Sequence, residues 1–170
     1  EYVMVCIDGA RMLSPGVLRH ALAALQSHWH PFVYTLGMHL GPKPQNESML
    51  EGYDQAVEDA LLDSIPWQED GYRLFEVASL AYSSGEGYFG QLSESNCFAL
   101  RRDDFLALGG MDEAFSSPGG GLVNLDFFNR AHQLPRARPV MLLGEATFHQ
   151  FHGGVATHVP RAEHSWARMA

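Results

Sequence analysis

The sequence has few positive charges and no stretch that suits a bilayer. Among its 170 residues, 11 Lys and Arg stand against 20 Asp and Glu, which gives a net charge of −9 with neutral histidines. A chain with this charge repels phosphate backbones and anionic lipid surfaces, so neither nucleic acid nor a membrane is expected as its main partner. No apolar run approaches the length of a membrane span, and no basic signal peptide opens the chain. The expected localisation is therefore cytoplasmic.

Cysteine is also scarce, with only two residues in the chain. Cys6 and Cys97 both lie in apolar, strand-like runs, a context that favours small buried side chains over a disulfide or a metal-binding pair. The chain has no internal repeat or low-complexity linker, and its 46% hydrophobic content is enough for one core. We expect a single domain over residues 1–170. Because the chain starts without Met inside an apolar run, we expect that domain to be part of a longer protein.

The first motif is an apolar strand that ends in an acid. Residues 2–7 form an almost continuous apolar run, and Asp8 follows it directly. Such a run is typical of a strand buried on both faces in an α/β sheet, where ligands bind beyond the carboxyl ends of the strands. Ser14 and Pro15 then indicate the N-cap and the first residue of a helix that reaches about Trp29. Asp8 is either a ligand-binding acid or a solvated residue at a strand end.

The middle of the chain predicts a second strand and a second helix. Residues 32–36, continued by 37–40, are apolar and partly β-branched, which favours a buried strand. Apolar residues at helical spacing between 49 and 61 predict a helix that Pro66 stops. Residues 78–89 are rich in Gly, Ser and Tyr. Their aromatic side chains could stack on sugar rings, or they could belong to the core or to a lid.

The stretch from residue 93 to 130 carries the most ordered pattern in the chain. Asn96 precedes the apolar run 97–100, which predicts a buried strand end, and a short helix follows with Phe105 on its apolar face. Gly109-Gly110 predicts a left-handed cap at the end of that helix. Phe115 is then expected to return to the core.

A glycine loop and a further helix complete this stretch. Residues 118–121 are Pro-Gly-Gly-Gly, a loop that can bring backbone very close to a ligand. Asn124 is predicted to be the N-cap of a helix from Leu125 to Gln133, which places Asp126 in the first turn.

Histidines concentrate near the C-terminal end. Two short strands, Val140 to Leu143 and Ala146 to Phe148, are predicted on either side of Gly144-Glu145, and they lead to His149. His149 and His152 have H-x2-H spacing, but the spacing is loose and no thiolate lies nearby, so the zinc signal is weak. Histidines in such a tail are more often solvated or hydrogen-bonded than metal-bound, which is our interpretation of His152, His158 and His164.

The order of these motifs resembles the GT-A glycosyltransferases, which use nucleotide-sugar donors. Family 2 enzymes carry an Asn or Gly before a small apolar run, an Arg, Gly-Gly-Phe-Asp-Glu-x-Phe, then Gly-x-Glu-Asp-x-Asp and a further Arg. The matching positions here are Asn96, Arg101-Arg102, residues 109–115, residues 123–126 and Arg130. The resemblance implies an α/β fold with a GT-A-like mixed sheet flanked by helices. It also implies that the nucleotide-binding half, which precedes the metal motif in these enzymes, is absent from this stretch of chain.

The resemblance further implies a function and a set of site residues. The chain would transfer a sugar from a nucleotide-diphosphate donor, possibly UDP-GalNAc, to a hydroxyl of a saccharide or polypeptide acceptor. Asp8 and His149 match the metal ligands of the polypeptide N-acetylgalactosaminyltransferases, and such ligands suit Mn²⁺ or Mg²⁺. The remaining site residues implied by the resemblance are Asn96, Gly120 and Gly121 for the cofactor and Asn124 and Asp126 for catalysis.

Two positions depart from the family pattern and keep other interpretations open. Ala10 stands where a second metal ligand is expected, and Val123-Asn124 stands where family 2 enzymes have Glu-Asp. Asparagine cannot accept a proton, so Asp126 would serve as the base or would only favour its own helix N-terminus. One alternative is a non-catalytic or truncated carbohydrate-binding or scaffold domain of the same fold. A small zinc protein that uses the C-terminal histidines is a third.

Overall fold

The computed structural model describes residues 1–7, 9–116 and 122–152, which form a mixed α/β fold with one six-stranded sheet flanked by helices. The strands are β1 (Tyr2–Cys6), β2 (Arg11–Leu13), β3 (Pro31–Leu40), β4 (Ala78–Leu80), β5 (Cys97–Arg101) and β6 (Arg138–His149). The helices are α1 (Val17–Ser27), α2 (Gln45–Ser48), α3 (Gln55–Asp63), α4 (Arg102–Ala107) and α5 (Val123–Gln133). Short 3-10 helices lie at Met49–Glu51, Gly71–Val77, Tyr82–Ser84 and Gly87–Phe89. The prediction of a mixed sheet flanked by helices is confirmed at this level.

Strand β3 organises the sheet. The strand order is β1-β5-β3-β6-β2, and β4 also pairs with β3. The β3–β6 pair is parallel, while the other pairs are antiparallel. Eight of the ten β3 residues are buried, as the apolar run at 32–40 predicts. Its partner β6 ends at His149, which lies opposite His39 in the parallel register.

The core has two layers, one on each face of the sheet. On one face, Phe98 stacks on Phe127 of α5 with 4.9 Å between ring centroids, and Phe32 packs 5.7 Å from Phe98. On the other face, α1 packs against β3 and β5 through Ala21 and Leu25. Burying each large apolar side chain contributes about 1.5–3 kcal/mol, so the aromatic layer is a main source of stability. Within the described residues, no helix is both long enough and apolar enough to cross a membrane.

The two short strands predicted near the C-terminal end are one strand with an irregularity. In β6, Met141 pairs with Tyr34, but Ala146 already pairs with Leu36, so four residues of β6 lie opposite one residue of β3. Gly144 has a φ of +78°, a value that glycine adopts without strain. The extra residues bend the strand and turn the side chain of Glu145 inward, where it is 2% exposed.

Glu145 ties β6 to the start of α1. One carboxylate oxygen accepts hydrogen bonds from the Ser14 hydroxyl and, at 3.2 Å, from the Gly16 amide. The other oxygen accepts from the Tyr72 hydroxyl at 2.8 Å and contacts His20 Nδ1 at 2.9 Å. The prediction that Ser14 is the N-cap of α1 was therefore wrong: the N-cap position is Gly16, and Ser14 uses its hydroxyl for Glu145.

The helix predicted between residues 49 and 61 is interrupted. Gly52 adopts a left-handed φ of +97° and ends the short 3-10 helix before it. Asp54 then caps α3 by accepting a hydrogen bond from the Val57 amide at 3.0 Å. The left-handed cap predicted at Gly109-Gly110 is confirmed, with φ of +78° and +70°. Phe115, expected in the core, is only half-buried.

Candidate functional site

Polar side chains collect where β2, β3 and β6 lie side by side. His149 pairs with Arg11 of β2 and with His39 of β3, so these three residues occupy one row across the sheet. The Arg11 Nε donates to the Ile7 carbonyl at 2.9 Å, and its guanidinium reaches the Thr147 hydroxyl at 3.5 Å. His149 is 4% exposed, so its ring is held by protein contacts rather than solvated. This burial excludes a solvated His149 ring, and its role as a metal ligand stays a prediction.

Gln45 fixes which nitrogen of His149 carries the proton. The Gln45 amide nitrogen donates to the His149 carbonyl at 3.1 Å and to Glu58 at 3.3 Å, so the amide oxygen faces the ring. That oxygen lies 2.6 Å from His149 Nδ1. Because a carbonyl oxygen only accepts, Nδ1 must donate, which leaves the lone pair on Nε2. A second residue that sets the tautomer in this way is typical of metal-binding histidines.

His152 faces the same nitrogen. The Nε2 atoms of His149 and His152 are 3.0 Å apart. With the His149 lone pair on Nε2, this contact is a hydrogen bond that His152 Nε2–H donates. A metal ion bound between the rings would replace that proton and use both Nε2 lone pairs. The sequence analysis interpreted His152 as solvated or hydrogen-bonded and not metal-bound, and in the structure His152 is hydrogen-bonded. Its H-x2-H spacing was the available signal, but that spacing does not reveal how the backbone turns between the two residues.

A third imidazole lies beside this pair but cannot act as a ligand through Nδ1. His39 Nδ1 accepts a hydrogen bond from the Gln45 backbone amide at 2.7 Å, and its ring centroid is 5.2 Å from that of His149. Burial, and then the electrostatic influence of His149 and Arg11, lower the pKa of His39 to about 3. His39 is therefore neutral at pH 7 and offers a donor N–H from Nε2.

Glu58 supports the turn that carries both histidines. Its carboxylate accepts from the Phe151 amide at 2.8 Å and 3.0 Å, one contact to each oxygen, and from the Tyr53 hydroxyl at 3.0 Å. Burial raises the pKa of Glu58 above its ordinary value. Because Phe151 lies between His149 and His152, these bonds hold the backbone that sets the distance between the two rings.

The second half of the site is built by Asn124. Its amide nitrogen donates to Glu94 at 3.1 Å and to the Asn96 side-chain oxygen at 3.2 Å. The prediction that Asn124 is an N-cap was wrong, because α5 begins one residue earlier and Leu122 takes the cap position without a side-chain hydrogen bond. Among the described residues, no group pairs with the buried Asn124 side-chain oxygen. An amide oxygen in that condition is able to accept a hydrogen bond from a ligand.

Arg11 connects the two halves electrostatically. Its positive charge acts on His39 and also on Glu94, where it counters part of the rise that burial causes in the pKa of that carboxyl. The net pKa of Glu94 is raised, with burial as the largest cause. Arg11 and Glu94 were missed by the sequence analysis, because neither belongs to a motif and only the fold brings them together.

Asp126 lies apart from Asn124 on the same helix. Two residues along an α-helix are about 200° apart around its axis, so their side chains point in opposite directions. The Asp126 carboxylate accepts from Arg130 Nε at 2.7 Å and from a terminal guanidinium nitrogen at 2.6 Å. Arg130 also donates to the carbonyls of Leu108 at 2.7 Å and Gly110 at 3.0 Å. Asp126 thus helps to fasten α5 to the turn after α4.

Three of the predicted site residues, Asp8, Gly120 and Gly121, lie outside the described residues. Of the others, the fold brings Asn96 and Asn124 into direct contact and places His149 opposite Arg11 in the β2–β6 pair. In the part of the chain that the structure describes, no group of three or more His, Cys, Asp or Glu side chains is positioned to hold a metal ion. His149 and His152 would therefore need a further ligand from elsewhere.

Comparison of the chain with known protein families, with curated proteins and with solved structures found no match.

Proposed function

We propose that this chain is the metal- and acceptor-binding part of a GT-A-like glycosyltransferase. It would move a sugar from a nucleotide-diphosphate donor, possibly UDP-GalNAc, to a hydroxyl of a saccharide or polypeptide. One observation carries the proposal. Asn96 and Asn124 are in direct contact, and Arg11, the strand neighbour of His149, acts electrostatically on Glu94, to which the Asn124 amide donates. The GT-A fold and the cytoplasmic localisation remain predictions.

His149 and His152 would hold Mn²⁺ or Mg²⁺ in this proposal, with Asp8 as the expected third protein ligand. The fit rests on the His149 tautomer and on the 3.0 Å separation of the two Nε2 atoms. A bound divalent ion would stabilise the negative charge that builds on the leaving diphosphate. Arg11 would add a guanidinium, which pairs well with phosphate oxygens, on the same row of the sheet.

Glu94 is the better candidate for the acceptor base. Its raised pKa and its contact with Asn124, one of the predicted catalytic residues, support this role. Asp126, by contrast, is held by Arg130 and points away from Asn124. We therefore assign Asp126 a positioning role in α5, and Glu94 the proton-accepting role if the enzyme inverts configuration.

Calorimetric titration with UDP, with and without Mn²⁺, tests the proposal. We expect Mn²⁺-dependent binding in the wild type and its loss in His149→Ala. His28→Ala is the matched control, because His28 is exposed and lies at the end of α1, away from the site. Absence of binding in the wild type at saturating Mn²⁺ would overturn the proposal of a donor site in this chain. Binding that persists in His149→Ala would remove His149 from the metal site.

A non-catalytic carbohydrate-binding or scaffold domain is the second candidate, and Ala10 favours it. Ala10 has no side-chain ligand, and its carbonyl accepts from the Gln150 amide at 2.9 Å. This position therefore provides backbone pairing instead of a second carboxylate. Turnover of UDP-GalNAc, or of another sugar nucleotide, would exclude this candidate. Glycan binding without UDP binding would favour it.

A further inference from the structure

Cys6 and Cys97 are directly opposite each other on neighbouring strands. The antiparallel pair β1–β5 has Cys6 in register with Cys97. The sequence analysis interpreted both as separate buried apolar residues. In the structure Cys97 is 1% exposed, whereas Cys6 is exposed on β1, which is an edge strand of the sheet. Neither thiol has a role in the proposed transfer reaction.

The backbone hydrogen bonds show which kind of cross-strand pair this is. The Ile7 amide donates to the Asn96 carbonyl at 2.8 Å, and the Arg102 amide donates to the Glu1 carbonyl at 3.2 Å. Both bonds belong to hydrogen-bonded pairs, and such pairs alternate with non-hydrogen-bonded pairs along an antiparallel ladder. Cys6 and Cys97 therefore form a non-hydrogen-bonded pair.

This type of pair brings two cysteines within disulfide range. Non-hydrogen-bonded partners have Cα atoms about 4.5 Å apart, and disulfides span Cα separations of about 4.4–6.8 Å. The side chains of such partners also leave the sheet on the same face. A hydrogen bond with Cys6, followed by burial, raises the pKa of the Cys97 thiol, which makes the exposed Cys6 the first of the two to react.

We propose that Cys6 and Cys97 form a reversible disulfide that links β1 to β5 when the protein meets a small disulfide oxidant such as oxidised glutathione. The exposed Cys6 sulfur attacks one glutathione sulfur, which releases the first glutathione thiol and leaves a mixed disulfide. The Cys97 sulfur then attacks the Cys6 sulfur and releases the second glutathione thiol. The two cysteines lose two electrons and two protons, and the oxidant gains both.

The link would act next to the candidate site. Cys97 follows Asn96 directly, and the Ser95 hydroxyl donates to the carbonyls of Cys97 and Thr35, both at 2.8 Å. The disulfide would therefore join the end of β1 covalently to the strand that carries Asn96. The inference itself is independent of the proposed function, because it requires no ligand to be bound.

The test measures thiols and melting temperature after incubation with oxidised glutathione. In the wild type we expect both thiols to disappear under denaturing alkylation, a Cys6–Cys97 cross-linked peptide on mapping, and full reversal by a dithiol reductant. Closing so long a loop is expected to raise the melting temperature by roughly 10 °C. Cys6→Ser should abolish the cross-link and the rise. It is a safe variant for folding because Cys6 is exposed.

Other results would overturn the inference. Glutathione that stays on Cys6 while Cys97 can still be alkylated would show that the second exchange does not occur. Cross-linking only between chains, detected on a non-reducing gel, would also contradict it, as would wild-type thiols that remain unoxidised. The serine variant is compared with the wild type under reducing conditions first, so that any difference in folding is measured separately from the effect of oxidation.

Discussion

Replacing Glu145 with Gln tests how β6 is attached to α1. The substitution keeps the size of the side chain but leaves one oxygen where the carboxylate had two. Each carboxylate oxygen now accepts from or contacts two groups: Ser14 and Gly16 on one side, and Tyr72 and His20 on the other. In the variant, one pair must face an NH2 group that cannot accept a hydrogen bond.

The cost follows from which pair loses its acceptor. Leaving a buried donor without a partner costs about 1–3 kcal/mol. The Gly16 amide and Ser14 are buried, whereas the His20 side chain is 43% exposed and Tyr72 is 39% exposed, so both of the latter can turn to water. The amide therefore orients its oxygen toward Ser14 and Gly16, which exchange a charged acceptor for a neutral one. Hydrogen bonds to charged groups contribute about 1.5–3 kcal/mol and neutral ones about 0.5–1.5 kcal/mol, so we expect the free energy of unfolding to fall by about 1–2 kcal/mol.

Urea unfolding followed by tryptophan fluorescence measures this change by linear extrapolation. For a chain of this size, the same loss corresponds to a fall of about 3–6 °C in the melting temperature. Glu51→Gln is the control, because Glu51 is 61% exposed and pairs only with Lys43 at the surface. Surface ion pairs contribute about 0–1 kcal/mol. If Glu145→Gln changes stability no more than Glu51→Gln does, the reasoning about the inward-turned carboxylate is refuted.

Three further substitutions test the site. Gln45→Met keeps the side-chain volume but removes the partner that fixes the His149 tautomer. Mn²⁺-dependent UDP binding measured by calorimetry should therefore weaken about 10–100-fold. Unchanged affinity would show that Gln45 does not orient a metal-binding histidine. The folded-state pKa of Glu94 is raised, so its contribution to stability should be lost as pH rises above 4.5 through that pKa. Glu94→Gln should lack this decline when unfolding free energies are measured from pH 4 to 8. Parallel pH profiles of the wild type and the variant would contradict a buried environment for Glu94. Asp126→Asn removes the ion pair with Arg130 and should lower the unfolding free energy by about 0.5–1 kcal/mol, while UDP binding and sugar turnover stay unchanged. Lost turnover with intact stability would instead make Asp126 the catalytic base.

Local signals predicted the elements well where side-chain pattern and backbone preference agree. The apolar run at 32–40 became the buried central strand, and the paired glycines after α4 adopted the predicted left-handed conformation. The predictions failed where a polar side chain had two possible uses. Ser14 and Asn124 are both good N-cap residues, but each has a tertiary partner that uses its side chain instead. Cap propensity contributes about 1 kcal/mol, and a buried hydrogen-bond network outweighs it.

The candidate site shows the same division. His149, Asn96 and Asn124 could be selected from sequence, because motif order preserves which residues follow a strand or open a helix. His152, Glu94 and Arg11 could not, since their relation to the site depends on the pairing of β2 with β6 and on the turn held by Glu58. Sequence spacing carries no information about such contacts between distant segments.

The sequence by itself determined the α/β composition, the buried central strand and the left-handed turn at Gly109-Gly110, because apolar periodicity and turn residues act locally. Only the tertiary structure decided that Cys6 lies opposite Cys97, that Glu145 turns inward at a bulge, and that His149 and His152 face each other across 3.0 Å. The cysteine pair depends on strand register, the orientation of Glu145 depends on the irregularity in β6, and the histidine contact depends on the turn that Glu58 holds. A shift of one residue would reverse the faces, and register is set by the packing of the whole sheet.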